Sequence, residues 1–167
     1  MAKDEVVILG IDPGFAITGF GIIIKTKDKL KVVNYGCIRT KAKENFSDRI
    51  KQIHFDLKKI INKYKPDIIS LESLFFYNNA KTAIDVGQSR GVIILTSVLH
   101  KIPVYEYTPL QVKQAVACYG RAEKKQVQEM VKIILNLKSI PKPDDAADAL
   151  AAAICCANSF SKNSVCK

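Results

Sequence analysis

A chain of 167 residues with 48% apolar and 25% charged side chains has the composition of a soluble globular protein and the length of one domain with a sizeable core. It has no run near the ~20 apolar residues of a membrane span, and no signal-peptide core after a basic start. The 26 Lys and Arg against 16 Asp and Glu leave a formal charge of +10, which favours a polyanionic partner such as nucleic acid.

"VVILGID" is an apolar strand that ends on Asp12. "ITGFGIII" and "KVVNYGCI" flank the polar "KTKDKLK" and read as a hairpin pair. Over residues 46–64, Ile50, Ile53, Leu57, Ile60, Ile61 and Tyr64 recur at helical spacing. "KPDIISLES" is a buried strand introduced by Pro66, with Glu72 near its end. A long helix is expected over 79–99, a short strand at "IPVYEY", and helices over 109–118, 123–137 and 144–158. Residues 1–158 read as a single domain and 159–167 as a frayed tail. Three strands in succession, then helix alternating with strand, predict an α/β fold: a mixed sheet with helices on both faces. Cys37, Cys118, Cys155, Cys156 and Cys166 are odd in number and lack CxxC spacing, so they read as reduced thiols of a cytoplasmic protein, not a zinc site.

The stretch "KPDDAADALAAAICCA", from Lys142 to Ala157, sets a question. Its body is small and apolar, yet its first turn holds Asp144, Asp145 and Asp148. Helix capping accounts for Asp144 and reaches Asp145, with Pro143 marking the start. It does not account for Asp148, a full turn further in. Asp145 and Asp148 stand about 60° apart on the face a packed helix would bury, where a bound cation is one of the few things that keeps two carboxylates together. Capping and metal ligation both stay open from this stretch. If the strands ending on Asp12 and Glu72 are parallel neighbours, their carboxylates share one edge of the sheet, where open α/β folds place ligands. Four carboxylates without histidine make a hard, oxygen-rich site suited to Mg²⁺ or Mn²⁺.

Six blocks stand in one order across residues 6–157: "GIDPG" at 10–14, "LES" followed by Phe75, "GQSRGV" at 87–92, "VKQAV" at 112–116, "AEKKQV" at 122–127 and "DAADALA" at 145–151. Together they resemble the bacterial Holliday-junction resolvases of the RuvC family. The resemblance implies an RNase H-like fold with a five-stranded sheet, a homodimer, and metal-dependent cutting of four-way junction DNA. It further implies Mg²⁺, with Mn²⁺ as a substitute and two ions per site. The nicks would be paired, in strands of like polarity, leaving 5′-phosphate and 3′-hydroxyl ends. The RuvA–RuvB branch-migration complex would be a partner. The family's catalytic, metal-binding acids fall on Asp12, Glu72, Asp145 and Asp148, which leaves Asp144 to capping. Its junction-centre aromatic falls on Phe75, read as outward with Phe76 inward, since neighbours in extended chain point opposite ways. Its basic residues near the scissile phosphate fall on Lys113 and Lys124; Arg121 and Lys125 are additional, as general phosphate contacts. Tyr77 and Asn78 receive no role.

Rival readings bear on the same residues. "GIDPG" also opens actin-like ATPases, but those need two such lobes around a nucleotide, and this length supplies one. A junction-binding protein without activity needs the basic surface and not the four acids. Another RNase H-like nuclease with a different substrate is the nearest alternative. Lys113 and Lys124 have solvated helix faces as their plainer explanation. In the helix 79–99, Ala83, Gly87 and Gly91 make a stripe nearly free of side chains, facing either a second copy or this chain's own sheet.

Overall fold

The computed structural model describes residues 5–73 and 80–159; Phe75, Phe76, Tyr77, Asn78 and most of the tail lie outside the described residues. The chain opens with three antiparallel strands, β1 (Glu5–Asp12), β2 (Ile17–Thr26) and β3 (Lys29–Arg39). Helix α1 (Phe46–Tyr64) leads to β4 (Ile68–Glu72), which pairs parallel to β1. Helix α2 (Ala80–Leu99) leads to β5 (Val104–Tyr107), parallel to β4, and three helices follow: α3 (Pro109–Ala117), α4 (Lys124–Ile134) and α5 (Asp144–Ser159). The sheet is five-stranded and mixed, in the order β3-β2-β1-β4-β5. The expected hairpin turn is tighter than its polar composition implied. The ladder runs to Thr26 and Lys29, leaving Lys27 and Asp28 as the connection, with Lys27 at φ 54° as a two-residue hairpin turn requires.

Strand alternation sorts the core into two layers. Ile8, Ile23 and Ile68 face α3, α4 and α5, packing on Val112, Val127, Val131 and Ile154. Leu9, Ile11, Ile22, Ile69 and Leu71 face the other way, onto Ile53, Leu57 and Ile61 of α1 and Ile93 of α2. Each of these aliphatic side chains contributes roughly 1.5–3 kcal/mol by leaving water.

The layer beneath α5 decides where the acids go. Gly10 of β1 pairs with Gly21 of β2, and Asp12 pairs with Gly19. A Cβ on Gly10 would stand 2.0 Å from the carbonyl oxygen of Ala149, and one on Gly19 would stand 2.0 Å from that of Asp145. The glycines therefore leave a strip without side chains, and the alanine-rich α5 lies directly on it. Its residues from Ala149 to Ala157 are buried throughout. The contact at Gly19 sets the first turn of α5 beside the end of β1.

Candidate active site

The register aligns one row across the sheet. Glu72 pairs with Tyr107, Asp12 with Gly19, and Gly19 with Cys37, while the Ile11–Leu71 pair brings Asp12 alongside Glu72. Adjacent strands lie about 4.8 Å apart, so Asp12 and Glu72 are immediate neighbours at the carboxyl ends of parallel strands. Ile11 and Leu71 point into the α1–α2 layer, so the acids that follow them point to the α5 side.

The charges interact accordingly. Burial, then the negative charges of Glu72, Asp148 and Asp145, push Asp12 up to about 8, with Lys124 opposing. Burial and then Asp148 push Glu72 up to about 7, against Lys124 and Lys113. Asp148 is raised by burial, and the hydrogen bond donated by Lys124 counters it. The two strand-end acids, Asp12 and Glu72, thus stand in one field with Asp145 and Asp148, as the sequence suggested. Among the described residues no three acidic, thiol or imidazole side chains are already drawn into ligating geometry. Instead Lys124 Nζ donates to Asp148 Oδ2 at 2.8 Å and lies 3.9 Å from Asp144. The donor set still suits a hard divalent cation, because carboxyl groups raised to about 8 and about 7 by burial and then by neighbouring carboxylates are what a cation would let ionise.

Lys124 opens α4, whose start is organised by reciprocal bonds between Glu123 and Gln126. Helix α3 starts on a similar box, Thr108 with Gln111, and carries Lys113. Glu72, Asp148, Lys113 and Lys124 line one cavity of about 240 Å³ floored by Val112 and Val127. Both lysines singled out in the sequence therefore reach the acids. Lys125 does not share that cavity; it lines a larger recess of about 500 Å³ with Tyr119 and Met130. Arg121 is exposed in the turn before α4. Asp144 stands in the first turn of α5, where a carboxylate complements the helix dipole, and it accepts a hydrogen bond from Lys142 Nζ at 2.8 Å. This exposed contact, with Lys124 beyond, holds it below the usual carboxylate range. On the β3 side of the row, burial and then the charge of Asp145 push the Cys37 thiol up, with Arg39 opposing and Asp12 adding to it. Neither Cys37 nor Arg39 was singled out from the sequence, because only the strand register brings them to the row. Cys37, Cys118, Cys155 and Cys156 are free thiols.

A five-stranded mixed sheet with acids at the ends of its central parallel strands, and a last helix adding two more, defines an RNase H-like nuclease. The family model "Crossover junction endodeoxyribonuclease RuvC" matches residues 8–156. The RuvC of Halothermothrix orenii is 59% identical over 94% of this chain and 95% of its own length, and that of Ruminiclostridium cellulolyticum 58% over 92% of each. Among solved structures, Thermus thermophilus RuvC in complex with Holliday junction substrate superposes with a TM-score of 0.81, at 33% identity, over 90% of this chain and 91% of that one. The chain belongs to the RuvC family of crossover junction endodeoxyribonucleases.

Proposed function

We propose that the chain resolves Holliday junctions by metal-dependent hydrolysis, with Asp12, Glu72, Asp145 and Asp148 as the catalytic metal ligands. The observation that carries this reading is the row of Asp12 and Glu72, shifted to about 8 and about 7, with the first turn of α5 set against it. The likeness to a RuvC solved with a Holliday junction supports the substrate. Asp12 would be the shared ligand, because the end of a central strand fixes a carboxylate most rigidly. Glu72 would hold one ion, and Asp145 with Asp148 the other. Bound Mg²⁺ or Mn²⁺, two ions per site, would supply an activated water and charge stabilisation at the reacting phosphate. Lys113 and Lys124 offset phosphate charge, and Lys124 releases Asp148 to do so. The products are 5′-phosphate and 3′-hydroxyl ends, on two strands of like polarity. Arg121 and Lys125 add general phosphate contacts, Phe75 stacks at the junction centre, and RuvA–RuvB delivers the substrate. Incubation with a synthetic four-way junction tests the reading: symmetric nicks with Mg²⁺ and none with chelator are expected. Equal cutting of linear duplex would overturn it.

The lysines make a graded expectation. Lys113→Ala and Lys124→Ala each remove charge at the reacting phosphate and slow single-turnover cleavage roughly 10²-fold. Lys125→Ala, outside the cavity of the acids, stays within about 3-fold of the parent rate and weakens affinity instead. Equal rate losses in all three would reduce them to an electrostatic surface.

Two cuts symmetric about a junction call for two sites related by symmetry, and α2 offers the joint. Among the described residues a Cβ added at Gly87 or at Gly91 meets nothing within 4 Å, so these glycines do not pack on this chain's own sheet. Ser89, Ile93, Thr96 and Ser97 face inward instead. Ile84, Leu95 and Val98, on the side of the glycines, are 62%, 56% and 59% exposed. The occupant we propose is a second copy, whose close approach justifies mid-helix glycines that each cost about 1 kcal/mol. Gly87→Leu has room in the monomer and is expected to fold, while raising the dimer dissociation constant at least about 10-fold in sedimentation. A folded, fully active dimer of this variant would remove α2 as the interface.

A further inference from the structure

We infer that Arg39 and Arg49 form a phosphate-binding shelf on the β3 side of the acid row, opposite Lys113 and Lys124, gripping the cut strand beyond the scissile phosphate. The inference rests on the acid row being the phosphodiester site. Arg39 ends β3 two residues beyond Cys37, on the same strand face and about 7 Å further along. Cys37 is the outermost member of the row that holds Asp12. Arg39 is exposed, and no ion pair to it is found among the described residues.

Arg49 reaches the next residue, Thr40, from α1, so the two arginines flank the end of β3. Its guanidinium lies 3.7 Å from the ring centroid of Phe15, the third residue after Asp12. Phe15 stacks in turn on Phe46 at 5.0 Å. Arg49 Nε donates to Thr40 Oγ1 at 2.9 Å, and Thr40 Oγ1 donates to the carbonyl of Phe15 at 2.7 Å. Thr40 N–H closes the set on the carbonyl of Ala16 at 3.1 Å. The guanidinium is thereby fixed to the loop that leaves Asp12.

Anchoring that loop uses the Nε proton and the stacking face. It leaves four of the five guanidinium N–H donors without a described protein acceptor. Arg49 is half-buried, and among the described residues no carboxylate pairs with it. A partly desolvated cation without a counter-charge is costly unless an anion arrives, and the planar fork of Arg matches two phosphate oxygens. Lys41, in the same loop, instead has a carboxylate beside it, Glu44 at 3.7 Å. The two arginines thus extend positive potential from the acids to the side of the sheet that α3 and α4 do not reach.

The test compares the full-length protein with Arg39→Gln, Arg49→Gln and Arg49→Lys for binding to a synthetic four-way junction in chelator, across a salt series. Each glutamine variant should lower the slope of log K against log[salt] by about 0.9, the loss of one phosphate contact. Arg49→Lys keeps the charge and should restore most of that slope, which a purely structural role would not do. Melting temperatures identify variants that fold. A parental slope in either folded glutamine variant overturns the shelf. If Arg49→Gln does not fold, Arg39→Gln, which loses no described ion pair, decides alone. A parent that fails to bind the junction overturns the functional reading itself, whereas a binding parent with unchanged variant slopes overturns the shelf only.

Discussion

Asp12→Asn, Glu72→Gln, Asp145→Asn and Asp148→Asn are each expected to reduce Mg²⁺-dependent junction cutting by roughly 10²–10⁴-fold. That range corresponds to the several kcal/mol of charge stabilisation that a misplaced metal forfeits. Junction affinity should stay near the parent's or rise slightly, because binding rests on phosphate contacts and each substitution removes a negative charge. Asp12→Asn should be the most severe, since its carboxylate feels all three of the others. Asp144→Asn is the internal control: its carboxylate is exposed and held by Lys142, outside the row, so activity should persist. An inactive Asp144→Asn beside an active Asp145→Asn would shift the helix assignment by one residue.

The second large effect is on stability. Asp12 rises from 3.8 to about 8 on folding and Glu72 from 4.5 to about 7, chiefly through burial and the neighbouring carboxylates. A carboxylic acid with a raised pKa holds its proton more tightly in the folded state than in the unfolded state. Stability is then fully present below the unfolded value and is lost as pH climbs through the folded one. Without divalent cation the protein should therefore melt lower at pH 8.5 than at pH 5.5. A loss on the order of a few kcal/mol corresponds to roughly 5–10 °C for a domain of this size. Asp12→Asn removes the charge that must be buried, so it should flatten the profile and melt above the parent at pH 8.5. Mg²⁺ should raise the parent's melting temperature more at pH 8.5 than at pH 5.5, because it binds the ionised form. A parental profile flat between these pH values, or an Asp12→Asn protein less stable at pH 8.5, would contradict the buried acid row.

Local rules made much of this chain legible in its sequence. The helix over 46–64 follows from six apolar residues at helical spacing, and it spans Phe46–Tyr64 as expected. Asp12 and Glu72 read as strand-end acids because each closes a short apolar run, and both do end their strands. The unusual position of Asp148 inside an apolar helix was visible for the same reason: a period and a charge can be read over four residues. Tertiary structure alone decided how these pieces meet. The pairing of β1 with β4 joins backbones some sixty residues apart, and no local propensity selects it. Gly10, Gly19 and Gly21 gain their meaning only when α5 lies against them, since a missing Cβ is informative only where another backbone occupies its place. Gly87 and Gly91 show the converse: among the described residues nothing lies within 4 Å of an added Cβ, where the sequence allowed either a sheet or a partner. Lys124 on Asp148, Lys142 on Asp144 and Arg49 on Phe15 are likewise beyond a sequence reading. The partner of a long flexible cation depends on distances of a few ångströms between elements, and those distances exist only after the helices have packed.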